Sequence, residues 1–331
     1  MRLAMRGFWS MGSISFCAAL ALGGCSSSSH TTTGSAGASS SPSSSTVVNV
    51  VATINAWGSI LTQLGGTHVH EASLITNPNT DPHVYEPTPA DGRTIATSQL
   101  LVQNGIGYDP WAAQALAANP DPQRKVINVG NLVGIANGGN PHRWYSPSDV
   151  EKVADTITAD LKSIDPADAG YFDTQRQTFE TVGLGRYHQL IASIRATYAG
   201  VPVGASESIF APLSDALGLD LLTPASFLKA ISEGTDPSAA DKATIDAQIS
   251  GKKIKVYVFN SQNSTPDVAA QVTAARAAGV SVTSVTETLS PATATFQDWQ
   301  VAQLAALQAA LHQATGNESA GAVGPQVRRQ Q

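Results

Sequence analysis

Short β-branched runs alternate with helix-length segments twice along this chain, and no other feature restricts the fold so tightly. Val47-Val48-Asn49-Val50-Val51-Ala52-Thr53 is apolar at almost every position, the pattern of a strand covered on both faces. Trp57 to Leu64 follows with helical spacing and stops at Gly65-Gly66. Val69 to Ile75, Leu100 to Gln103 and Val126 to Val129 read as further strands, with helices over Asp91 to Ala96 and Pro110 to Ala118. Ser148 and Glu151 have the spacing of a capping box for a helix running to about Ser163. Tyr171 to Tyr198 keeps helical spacing without a proline, and Gly183 and Gly185 mark the place for a bend or break. After Gly200 the alternation restarts, with strands over Val201 to Ala205, Lys253 to Phe259 and Val280 to Val285. Helices are expected over Pro212 to Leu217, Ser238 to Ile249, Pro266 to Ala278 and Phe296 to Gln313. Such alternation calls for parallel strands with helices on both faces. The expected fold is α/β: two α/β lobes with parallel sheets, residues 47–165 and 201–315, joined by a long linking helix over 166–200.

Ahead of the first strand, Arg2 and Arg6 precede an apolar stretch, Phe8 to Leu22, that is too short to span a bilayer comfortably. It ends in Leu22-Gly23-Gly24-Cys25, which resembles the bacterial lipobox. That resemblance implies a lipoprotein signal peptide over 1–24 and a lipid anchor on Cys25, with the protein held to the cell membrane on its extracytoplasmic face. Residues 25–46 are rich in Ser, Thr, Gly and Ala and read as a disordered tether, and 316–331 as a disordered tail. The two cysteines are Cys17, in the leader, and Cys25, so no thiol remains for a disulfide or a thiolate metal site. A net charge of −6 without any basic cluster argues against nucleic acid as a partner.

Any metal site must therefore draw on His, Asp and Glu, which suit zinc or manganese. Two histidines follow prolines in loops: Asp81-Pro82-His83 and Asn140-Pro141-His142. Proline fixes its own φ and biases the preceding residue toward extended geometry, so each imidazole is presented from a stiffened loop. In open α/β sheets ligands bind beyond the carboxyl ends of the strands. Glu207, in Ser206-Glu207-Ser208, directly follows one strand of the second lobe, and Glu287, in Thr286-Glu287-Thr288, directly follows another. His83, His142, Glu207 and Glu287 together make a two-imidazole, two-carboxylate shell in the interlobe cleft.

The stretches Asp81-Pro82-His83-Val84-Tyr85-Glu86-Pro87-Thr88-Pro89 and Asn140-Pro141-His142-Arg143-Trp144 resemble the signature loops of the metal-binding substrate proteins of bacterial zinc and manganese ABC transporters. The resemblance runs from Val47 to about Gln313 and implies Mn2+ or Zn2+ as cargo, an ABC permease as partner and a monomeric protein. It implies His83, His142, Glu207 and Glu287 as ligands, although most members have Asp at the position of Glu287; Asp298 and Asn260 are the other candidates for that place. The second loop also departs, continuing Tyr145-Ser146-Pro147 where the family has Leu-Asp-Pro. Many zinc-carrying members have a His-rich insertion before the second loop; Asp121 to Asn140 contains no histidine, which favours manganese or iron. Glu86 is expected to support the site without ligating. His68 and His70 alternate on a strand, one of them facing inward, while His188 and His312 lie on helices without partners at metal spacing. No His-Glu-x-x-His helix and no Gly-x-Ser-x-Gly turn occurs, so the chain is not expected to be an enzyme. A metal-dependent hydrolase and a surface adhesin are the rival readings.

Overall fold

The computed structural model describes residues 47–78 and 82–316. The leader with Cys25, the tether and the tail past Gly316 lie outside the described residues. Among the described residues, eight strands form two four-stranded sheets. The first is built from β1 (Val48–Ile54), β2 (Val69–Ile75), β3 (Leu100–Gln103) and β4 (Lys125–Asn128), in the order β2-β1-β3-β4. The second uses β5 (Pro202–Ala205), β6 (Asp220–Leu221), β7 (Val256–Asn260) and β8 (Ser281–Val285), in the order β6-β5-β7-β8. Every strand pair is parallel. In β1 every residue but Asn49 is buried, as a strand covered by helices on both faces requires.

The strand order reverses between β1 and β3 in the first sheet and between β5 and β7 in the second. At such switch points the loops leave the carboxyl edge in opposite directions and open a crevice. Ser206 and Glu207 leave β5 at that crevice, next to Asn260 at the end of β7, and Ser206 Oγ accepts from the Asn260 backbone N–H at 3.0 Å.

The link between lobes is two helices, Ala169–Thr178 and Gly185–Tyr198, joined by a π-helical turn over Phe179–Gly183. The Leu184 amide reaches back five residues to Phe179 O at 2.7 Å. One extra residue in a turn rotates the helix face, and here it lets Phe179, Leu184 and Tyr187 all enter the core. The expected break near Gly183 is therefore a widened turn rather than a stop.

The capping box expected from Ser148 and Glu151 is not formed. The helix Pro147–Ile164 begins two residues earlier, because the fixed φ of Pro147 suits the first helical position, and this leaves Ser148 inside the first turn. Glu151 instead faces His188, 3.5 Å away. Two short helices, Val129–Val133 and Ala225–Ser232, and the two-residue strand β6 went unread in the sequence.

The closing helix, Phe296–Thr315, packs on β8, on the linking helix Gly185–Tyr198 and on the first-lobe helix Asn55–Gly65. Trp57, Trp144, Tyr145, Trp299, Phe296 and Tyr187 make a run of ring contacts from the first lobe into this helix, with centroids 5.6–6.5 Å apart. Both lobes thus share one continuous apolar core. A joint packed in this way resists wide hinge opening, since opening would expose apolar surface at about 25 cal/mol per Å2.

Candidate metal centre

Both histidines stand on single 3-10 turns. Pro82–Val84 carries His83 beyond β2, and His142 opens the turn Arg143–Tyr145 beyond β4. The stretch following His83 is pinned by a capping box between Thr88 and Asp91, with Tyr85 Oη donating to Asp91 Oδ2 at 2.8 Å. The stretch preceding it is tied to the second lobe, where Gln262 Nε2 donates to Pro78 O at 2.6 Å and to Thr288 Oγ1 at 2.7 Å. Behind His142, Asn104 Nδ2 donates to Pro141 O at 2.8 Å while its Oδ1 accepts from Trp57 Nε1 at 3.1 Å.

These supports bring the four side chains together. His83 Nε2 lies 3.3 Å from His142 Nε2, 3.7 Å from Glu207 Oε1 and 3.6 Å from Glu287 Oε1. His142 Nε2 lies 3.6 Å from Glu207 Oε1 and 3.2 Å from Glu287 Oε1. These are five of the six edges of a tetrahedron of donor atoms. A tetrahedron of that size has its centre about 2.1 Å from each corner, the length of a zinc–imidazole or zinc–carboxylate bond.

His142, Glu207 and Glu287 are fully buried, while His83 is 16% exposed and borders a cavity of about 490 Å3 that opens between the lobes. Two buried carboxylates repel each other and forfeit hydration unless positive charge joins them. Burial works against the His83 imidazolium, but the facing carboxylates of Glu207 and Glu287 outweigh it and push its pKa up to about 10. Burial likewise raises Glu287, yet His142 and His83 win and hold it well below the ordinary carboxylate range. Among the described residues nothing donates to Glu207 Oε1, which no solvent reaches.

A second layer of side chains holds Glu207, Glu287 and His142. Asn260 Nδ2 donates to Glu207 Oε2 at 2.8 Å and to Glu287 Oε1 at 2.9 Å, and Tyr108 Oη donates to Glu287 Oε2 at 3.3 Å. Both outer oxygens are thereby occupied, so each carboxylate offers the hollow one oxygen. Asn140 Oδ1 faces His142 Nδ1 at 2.9 Å. Tyr145 Oη reaches Thr286 O at 2.9 Å, next to Glu287.

Asn260, a candidate from its sequence for the fourth ligand, instead turns its amide nitrogen to the carboxylates as a donor. Asp298 caps the closing helix with Thr295 and is exposed. Glu86 is exposed, and His70 is too. His68 sits 3.0 Å from Asp168 Oδ2 and stacks on Tyr171. His188 is not isolated as expected: its two ring nitrogens face Glu151 and Glu180, at 3.5 and 3.7 Å. Asn140 was visible in the sequence as part of its Pro-His motif, whereas Tyr108 carried no local signal.

With this geometry established, residues 50–310 match the family model described as zinc-uptake complex component A, periplasmic. The chain belongs to this family. It is 23% identical over 137 residues to the manganese-binding lipoprotein MntA of Halalkalibacterium halodurans, covering 40% of this chain and 45% of that one. It is 22% identical over 210 residues to the high-affinity zinc uptake system protein ZnuA of Bacillus subtilis, covering 57% and 63%. The Mn-bound periplasmic metal binding protein (S38A mutant) of Candidatus Liberibacter asiaticus superposes with a TM-score of 0.68 at 19% identity, over 80% of this chain and 99% of the other. A crystal structure of ZnuA gives 0.63 at 23% identity, over 80% and 98%. At these identities the superpositions show the fold: two parallel-sheet α/β lobes.

Proposed function

We propose that this protein captures a divalent transition metal, manganese or zinc, outside the cytoplasm and delivers it to an ABC permease, and that His83, His142, Glu207 and Glu287 are its ligands. The observation that carries this reading is the buried Glu207 Oε1, which has no hydrogen-bond donor among the described residues and faces two imidazole Nε2 atoms within 3.7 Å. A buried carboxylate oxygen lacking a donor is a large unmet cost, and a divalent cation in the hollow removes it. Two carboxylates also cancel the charge of such an ion, so it enters the interior neutralised.

Four protein donors fill a tetrahedral shell, whereas a hydrolytic zinc keeps one position for water. Binding for transport fits this arrangement better than catalysis. The hollow also suits zinc more closely than manganese, which prefers more oxygen donors. The family assignment supports a transport partner, and the lipobox-like Leu22-Gly23-Gly24-Cys25 supports a lipid anchor. We assign residues 47–165 and 201–315 to the two lobes, with 166–200 as the link. The shared core favours small closures on binding.

The test is elemental analysis of protein purified without added metal, alongside His83→Ala, His142→Ala, Glu207→Ala and Glu287→Ala. One equivalent of zinc or manganese in the parent, lost in each variant, is the expected outcome. Retention in any one removes that residue from the ligand set, and a metal-free parent that also fails to bind added zinc or manganese overturns the reading.

A further inference from the structure

Resting on that reading, we infer that Asn140 is a positioning residue that makes His142 a better metal donor while the two lobes are in contact. Ser208 faces Asn140 across the seam between the lobes. Its backbone carbonyl can only accept, and Asn140 approaches it at 2.6 Å, so the Asn140 amide nitrogen must be the end that faces it. The oxygen of the amide then faces the other way, toward His142 Nδ1 at 2.9 Å and the His142 backbone N–H at 3.1 Å. An amide oxygen cannot donate, so the proton of a neutral His142 sits on Nδ1. The Nε2 lone pair is thereby left free, and Nε2 is the atom in the hollow.

A half-turn of the amide reverses this logic. With the Asn140 nitrogen facing Nδ1, the ring must accept there and carry its proton on Nε2, where it blocks the ion. Asn140 belongs to the first-lobe loop, and Ser208 to the second lobe. Ser208 is also the residue after Glu207, so the second lobe's clasp on Asn140 and its own carboxylate donor move together. Ser208 Oγ adds to the clasp. It donates to Ser232 Oγ at 3.0 Å, which leaves a lone pair turned to His142 Nδ1 at 3.4 Å. Separation of the lobes at this seam removes the carbonyl that holds the amide. The His142 backbone N–H and Nδ1–H stay behind as the remaining holds, both from within the same short loop. Lobe opening therefore weakens two donors at once: Glu207 by distance and His142 by a looser hold on its tautomer.

The experiment compares Asn140→Ala and Asn140→Asp with the parent. Zinc release to a chelator is followed by stopped flow, and the His142 tautomer of the metal-free proteins by imidazole 15N shifts. Asn140→Ala loses both the acceptor and the clasp: release quickens by about tenfold or more and the Nε2–H tautomer gains population. Asn140→Asp keeps an acceptor at Nδ1 but cannot donate to Ser208, so it retains the parent tautomer while still releasing zinc faster. Parent-like release in either variant overturns the inference, as does an unchanged tautomer in Asn140→Ala. The 15N measurement needs no bound metal, so it judges this inference separately from the transport reading, which fails only if the parent itself does not bind.

Discussion

Asn260 Nδ2 lies 2.8 Å from Glu207 Oε2, at the junction where β5 and β7 part. The same amide nitrogen reaches Glu287 Oε1 at 2.9 Å, and Asn260 Oδ1 accepts from the Gln262 backbone N–H at 3.0 Å, which fixes its orientation. One neutral side chain thus spaces two buried carboxylates and turns one oxygen of each toward the imidazoles. Asn260→Ala removes both donors without touching a ligand. Metal affinity is expected to fall about 10- to 100-fold, measured by competition with a chromogenic chelator. Affinity within twofold of the parent would show that the carboxylates hold their own positions.

Glu207→Gln separates the burden of the buried charge from its use. Above about pH 10, where His83 has lost its proton, the metal-free variant no longer buries an uncompensated anionic oxygen, so there it should melt at a higher temperature than the metal-free parent. Excess zinc should raise the melting point of the parent strongly and that of the variant little, because ligand stabilisation scales with the logarithm of occupancy. Differential scanning calorimetry with and without zinc reads both effects.

The raised His83 pKa sets the pH dependence. In the metal-free protein His83 holds its proton until about pH 10, and an imidazolium cannot ligate. Below that value each unit of falling pH costs about tenfold in affinity from this one proton. Affinity is therefore expected to climb through neutral pH, rather than level off near the ordinary imidazole value of 6.5. The fold without metal follows the opposite course. The stabilisation from protonated His83 is complete below about 6.5 and is lost as pH rises through about 10. Calorimetric titrations across neutral to mildly alkaline pH test the first statement, and thermal melts of chelator-treated protein the second. A flat affinity above 6.5 contradicts both.

Cys25→Ser tests the anchor. The parent should fractionate with membranes after expression in a lipoprotein-processing bacterium, and the variant should be released in soluble form. No helix among the described residues is long and apolar enough to cross a membrane. Membrane retention of the variant would point to another attachment.

Much of the fold was legible because secondary structure leaves short-range periodic traces. The β1 run, the Gly65-Gly66 stop and the restart after Gly200 each reflect a rule acting over a few residues. The same holds for the Pro-His loops, whose stiffness is a property of proline alone. Where two local signals competed, the reading slipped. Pro147 displaced the capping box at Ser148 and Glu151, and the π turn at Phe179–Gly183 exists only because residues on both sides of it reach a shared core.

Sequence alone determined the alternation that builds two parallel sheets and the four side chains at the ends of its strands and loops. Only the tertiary structure decided that those side chains point into one hollow, that Asn260 spaces the carboxylates, and that Ser208 sets the amide of Asn140 and through it the proton of His142. The reason is one of range. Helix and strand preferences are written within a turn or two of chain, but charge balance, tautomer and donor geometry depend on residues 27 to 179 positions apart, brought together where the carboxyl edges of both sheets meet.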